Sequence, residues 1–198
     1  TEKVAFSNMP FAYSDSMLRV EIPAGALYES TFIEISHNDG IFTVGNLDIP
    51  LQRSFTLEIE TGVDPALRSK ALLMGESRKG KWYSVAGGWS QSKLKANLTG
   101  FGRFKVAYDT IPPRIEAMQK EGATVSNALK FKITDNLSGV VSYDIYIDEQ
   151  WAIGAYDPRV ALLQTPIRSS TTPTEHQVRV VVSDYKGNKH TLKQTYKW

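Results

Sequence analysis

The sequence predicts an all-β chain of two antiparallel β-sandwich domains in tandem, and three observations predict it. Apolar and polar residues alternate with a period of two along nearly every hydrophobic stretch, the mark of a half-buried strand. Turn signals separate those stretches at the spacing common in sandwiches. A Pro112-Pro113 pair follows directly on a strand near the middle of the 198 residues. Proline lacks the N–H that a ladder needs and drives the preceding residue into extended geometry. The chain is therefore divided at about residue 110, into domains over 1–110 and 111–198, each long enough for a modest core.

The first domain opens with predicted strands over 18–22, 31–36 and 41–44, the last two separated by Asn38-Asp39-Gly40. Strand 54–60 follows, with Phe55, Leu57 and Ile59 on one face and Thr56, Glu58 and Glu60 on the other. Asp64 to Ser69 is the one stretch with helical character. It has an N-cap Asp and Pro65 at the first helical position, but length for only one turn. Strands 71–76 and 81–86 flank Arg78-Lys79-Gly80, and strands 93–98 and 102–108 flank Thr99-Gly100. The second domain is expected to hold strands 114–119, 128–134, 140–148, 150–156, 160–164, 176–184 and 190–197. Leu129, Phe131 and Ile133 share a face, as do Val141, Tyr143, Ile145 and Ile147, and Val178, Val180 and Val182. Asn136 to Gly139 and Lys186-Gly187-Asn188 close turns, and Pro166 to Pro173 reads as a long exposed loop.

Composition narrows the function. Lys and Arg number 23 against 21 Asp and Glu, a balance with no long-range pull toward nucleic acid or an anionic membrane. No apolar run approaches the roughly 18 residues that cross a bilayer as a helix. The absence of cysteine excludes disulfides, thiol nucleophiles and cysteine-ligated zinc. The first residue, Thr1, is read as the start of a processed or excised chain.

The motifs of catalysis are missing from the sequence. His37, His176 and His190 form no His-x-His or His-Glu-x-x-His pattern, although His176 and His190 could meet on neighbouring strands. No Gly-x-Ser-x-Gly elbow occurs. No catalytic residue and no cofactor is expected. Calcium is the more serious inorganic candidate, with Asp135, Asn136 and Asp184 at predicted strand ends, joined by Asp148. The competing reading is that Asx side chains simply cap their own turns. Trp82, Tyr83 and Trp89 lie beside turns, where flat rings can receive the apolar face of a sugar. Trp89, between Gly88 and Ser90, is the best candidate for exposure, whereas Trp82 and Trp151 are expected to anchor cores.

Three motifs of the second domain, Asp109-Thr110-Ile111-Pro112-Pro113, Ile133 to Gly139 and Val182 to Asn188, resemble bacterial immunoglobulin-like domains of large secreted proteins. The first domain, through Ile22-Pro23-Ala24-Gly25-Ala26-Leu27, is similar to domains of ankyrins and netrin receptors that share a Pro-x-Gly-Ala-Leu signature. Some of that group cleave themselves at His-Phe-Ser; Ser36-His37-Asn38 lacks the Phe and the following Ser, so self-cleavage is not carried over. The whole order of parts resembles the C-terminal region of exported lysostaphin-like zinc endopeptidases of Gram-negative anaerobes. Tyr83 to Gly88, Phe101 to Phe104 and the Asp109-to-Pro113 linker carry that likeness.

The resemblance implies a non-catalytic binding or spacer module of a cell-envelope protein, periplasmic or at the cell surface. Its partners would be an upstream catalytic domain, the cell wall or a glycan polymer, with no nucleic acid and no membrane insertion. The alternative is a carbohydrate-binding or adhesion module of a nutrient-capture protein. The resemblance also implies sugar attachment at Asp-Ser/Thr-aliphatic or Met sequences, which places Ser16 (in Asp15-Ser16-Met17) and Thr110 (in Asp109-Thr110-Ile111) as candidate acceptors.

Overall fold

A computed structural model describes residues 1–85, 87–168 and 170–198; Ala86, in the predicted strand 81–86, and Ser169, in the 166–173 loop, lie outside the described residues. The chain forms two compact units, Thr1–Asp109 and Thr110–Trp198. Every paired strand in both is antiparallel, and the sheets are open.

The first unit holds β1 (Glu2–Ala5), β2 (Phe11–Ser14), β3 (Leu18–Ile22), β4 (Thr31–Asn38), β5 (Ile41–Val44) and β6 (Phe55–Glu60). It continues with β7 (Ala71–Glu76), β8 (Trp82–Val85), β9 (Gly88–Ser90), β10 (Lys93–Leu98) and β11 (Gly102–Tyr108). They form sheets ordered β1-β4-β5-β11-β7-β8 and β2-β3-β6-β10-β9. Alternation sends Val20, Leu57 and Leu94 from one sheet, and Ile33, Val44 and Phe104 from the other, into one apolar cluster. Two sheets thus share one core, a sandwich-like arrangement. Each such side chain contributes about 1.5–3 kcal/mol by leaving water.

The helical stretch is a single 3-10 segment, Pro65–Lys70, and the Asp64 carboxylate accepts from the Ala66 N–H at 2.9 Å as its cap. Strands β1, β2 and β9 were not expected. All three are short edge strands, and β1 buries only Ala5, so too few alternations occur for a period to emerge.

The second unit holds β12 (Arg114–Ala117), β13 (Ala128–Thr134), β14 (Val140–Ile147), β15 (Gln150–Ala152), β16 (Ala155–Asp157), β17 (Leu162–Pro166), β18 (Glu175–Asp184) and β19 (Lys189–Lys197). Its sheets are ordered β12-β13-β17-β16 and β15-β14-β18-β19. Leu129, Phe131, Ile133, Val178, Val180 and Val182 meet in its core together with Tyr196.

Two expectations are corrected. The single strand 150–156 is two strands in different sheets, β15 and β16, and Gly154 lies at the crossing. A Cβ there would come within 3.0 Å of Ile145 Cδ1 and 3.2 Å of Leu163 Cδ1, so any side chain at the crossing would have to push these methyl ends aside. The predicted face shared by Val141 and Tyr143 is broken by a β-bulge between Val140 and Ser142. The extra residue shifts the alternation by one, so Val140 packs on the core and Val141 is exposed.

Candidate functional site

The three aromatic candidates of the first unit are not brought together. Trp82 and Tyr83 are neighbours on β8, so the pleat sends them to opposite faces, and Trp89 belongs to the other sheet. Trp89, the best candidate for exposure although core or rim packing is the favoured reading, is half-buried. It sits opposite the buried Leu94, packs on the core, and donates from Nε1 to the Arg68 carbonyl at 2.6 Å. Its ring ties the 3-10 segment to the edge of the sheet. Trp82 lies under the Lys105 ammonium, 4.3 Å from the ring centroid. Tyr83 alone is half-exposed, lying over Gly75.

The acidic candidates of the second unit close turns. Asp135 Oδ2 accepts from the N–H groups of Leu137 (3.1 Å) and Gly139 (2.7 Å). The buried Asp184 accepts at Oδ1 from the N–H groups of Lys186 (2.8 Å) and Asn188 (2.9 Å), and at Oδ2 from Asn188 Nδ2 (2.7 Å). Carboxylate oxygens of Asp135 and Asp184 come within 4.8 Å of one another, and Asp135 Oδ1 is buried without a hydrogen-bond partner. Hard oxygens so placed are the kind of donor that calcium takes. Asn136 is exposed and outside this pair, and Asp148 sits elsewhere, at the β14–β15 hairpin. Ser16 and Thr110, the candidate sugar acceptors, are both exposed. The Asp15 that precedes Ser16 caps its turn, accepting from Met17 and Leu18 N–H at 2.8 and 2.9 Å.

The histidines occupy separate places. His37 Nε2 lies 3.6 Å from Asp15 in the first unit. His176 and His190 are on adjacent strands but opposite Tyr196 and Val182, six residues apart along β18, or about 20 Å. The two-histidine site therefore does not form. His190 Nδ1 donates to the Pro113 carbonyl at 2.9 Å.

His176 belongs to a cluster that the sequence did not show as one. The β14–β15 hairpin turns at Asp148 (φ 48°) and Glu149 (φ 63°), a geometry that favours Asn, Asp or Gly and strains a Glu. The Asp148 carboxylate offsets that strain by accepting from Gln177 N–H at 2.9 Å and from His176 Nδ1 at 2.7 Å. These bonds, the one from His176 first, hold the Asp148 carboxyl below the usual range. His176 Nε2 is 3.0 Å from the Thr174 hydroxyl, and its ring stacks on Trp198 with centroids 4.1 Å apart and planes 13° from parallel.

The order carboxylate, imidazole, hydroxyl is that of a proton relay. Acyl transfer would also need N–H donors for an oxyanion. Here the Thr174 N–H is bound to the Trp198 carbonyl at 2.9 Å and the Gln177 N–H to Asp148. The cluster thus pins a hairpin to the strand beside it. It borders an open cleft of about 340 Å³ lined by Ile147, Asp148, Trp151, Arg168, His176 and Trp198. Trp151, expected to anchor a core, is 62% exposed.

In comparison with protein families, the model of the Zu5-like domain matches residues 3–109. That span is more than half of the chain and contains the Ile22-to-Leu27 signature. No curated protein matches the chain.

Proposed function

The chain belongs to the Zu5-like domain family, and on that premise we propose that it is a non-catalytic binding or spacer module of an exported cell-envelope protein. In this reading it consists of two β-sandwich domains in tandem, the second immunoglobulin-like, working in the periplasm or at the cell surface. Its context is the C-terminal part of a peptidoglycan-cutting zinc endopeptidase, with the upstream catalytic domain and the cell wall as partners. The observation that carries the reading is how the polar side chains at strand ends are used. Asp15, Asp64, Asp135 and Asp184 accept backbone N–H bonds of their own turns, and Asp148 accepts one from the neighbouring strand, while Trp151 and Gln177 stay open to solvent. Surface of that kind suits recognition better than bond breaking.

A second reading, a carbohydrate-binding or adhesion module of a nutrient-capture protein, is favoured by the exposure of Trp151. Co-sedimentation with purified peptidoglycan sacculi, followed with added zinc, tests the first. The expected result is a chain that pellets with sacculi and releases no muropeptide above a heat-killed control. Muropeptide release abolished by His176→Ala would overturn the non-catalytic reading. The encoded residues upstream of Thr1 separate the two contexts: zinc-ligand motifs rich in His support the endopeptidase, further sandwiches the adhesin.

A further inference from the structure

The outer face of the β15-β14-β18-β19 sheet carries a row of side chains that nothing in the core requires. Trp151 pairs across strands with Tyr146, Tyr146 with Arg179, and Arg179 with Lys193. Their neighbours Ile145, Val178 and Val180 are buried in the core, so alternation turns the row outward. The row is held in place: the Arg179 guanidinium lies 3.9 Å from the Tyr146 ring centroid and bonds Glu149 at 2.6 Å, and Trp151 Nε1 donates to Asp144 Oδ1 at 3.2 Å. Beside Arg179 the face dips into a depression of about 230 Å³, bordered by Glu121, Gln177, Lys193, Gln194 and Thr195.

We propose that this face binds an uncharged oligosaccharide of pyranose rings, with Trp151 as the stacking platform and the depression as the hydroxyl-reading subsite. This deepens the binding-module reading and rests on it. A large indole left 62% exposed on an edge strand offers a flat apolar surface of the size that a sugar's C–H face covers. Gln177 and Thr195, paired across β18 and β19 on the outward face, each combine donor and acceptor capacity, which matches hydroxyl groups that both give and take hydrogen bonds. The charges on the face largely answer one another, with Arg179 and Lys193 set against Asp144, Glu121 and Glu149. That balance disfavours a polyanion and suits a neutral ligand. At the usual strand spacing Trp151 stands about 10 Å from Arg179, so a ligand engaging both is a chain of sugars rather than one ring.

The test is calorimetric titration of the whole chain with cellohexaose, chitohexaose and mannohexaose, with hexagalacturonate as the charged comparison. At least one neutral hexasaccharide should bind. Trp151→Ala should weaken it by about tenfold or more with an unchanged melting temperature, and Gln177→Ala, exposed and outside the core, should weaken it too. Tyr28→Ala, an exposed ring of the first unit, should leave it unchanged. The proposal is overturned if no neutral sugar binds, if only hexagalacturonate does, or if both Trp151→Ala and Gln177→Ala bind like the parent. Sacculus co-sedimentation separates the two levels. Binding of sacculi by parent and Trp151→Ala alike removes the platform and keeps the binding module, whereas failure of the parent on sacculi and on every sugar removes both.

Discussion

Asp184 is 1% exposed, and its carboxylate is kept inside by three hydrogen bonds from the turn that it closes. Replacing it with Ala leaves those donors unanswered in a buried place. Asp184→Ala should therefore destabilise the second unit by about 1–3 kcal/mol, read from chemical denaturation of the whole chain. A cost indistinguishable from zero would mean that the turn closes without its cap. Gly154 makes the opposite argument, since its lack of a side chain is what matters. Gly154→Val should cost roughly 1–3 kcal/mol by pushing Ile145 and Leu163 apart, and an unchanged midpoint would show that the two sheets have slack at that crossing. The Asp184 turn was legible in sequence, because Asx before Gly-Asn is local chemistry. The exposure of Trp151 was not. Its strand alternates like any other, and the pattern does not say which of two aromatic-bearing faces another sheet will cover.

The β14–β15 hairpin shows what an element adds to its residues. Its register was readable from Ile145 and Ile147, but the bulge at Val141 was not, because a bulge leaves the composition of a strand untouched. The turn itself is held by acid groups whose folded-state titration lies below the ordinary one: Asp148 through His176 and Gln177, and Glu149 through Arg179. A depressed carboxyl contributes stability that is fully present above its unfolded value, about 4, and is lost as pH falls through the folded value. The melting temperature of the second unit should accordingly decline from about pH 5 downward. Asp148→Asn keeps an oxygen for the Gln177 N–H but no longer titrates. It should lower stability at pH 7 and flatten the acid-side slope. A slope identical to that of the parent would place the acid sensitivity elsewhere.

For the whole molecule, the sequence divided the chain by one covalent feature, the Pro112-Pro113 pair, whereas the structure divides it by what packs with what. The apolar cluster of the first unit runs from Ala5 to Phe104 and that of the second from Ile115 to Trp198, with no residue in common. Both depend on pairings distant in sequence, such as β3 with β6 and β13 with β17, which fold more slowly than local contacts and lie within a single unit. A core built from the residues of its own unit is expected to fold alone. Residues 1–109 and 110–198, produced separately, should each give a dispersed amide NMR spectrum and a cooperative melt. Limited proteolysis of the whole chain should cut first within 109–114 or 166–173, where proline and small polar residues concentrate. An unfolded 1–109 fragment beside a folded whole chain would show that the first core takes stability from the second unit despite sharing no buried residue with it.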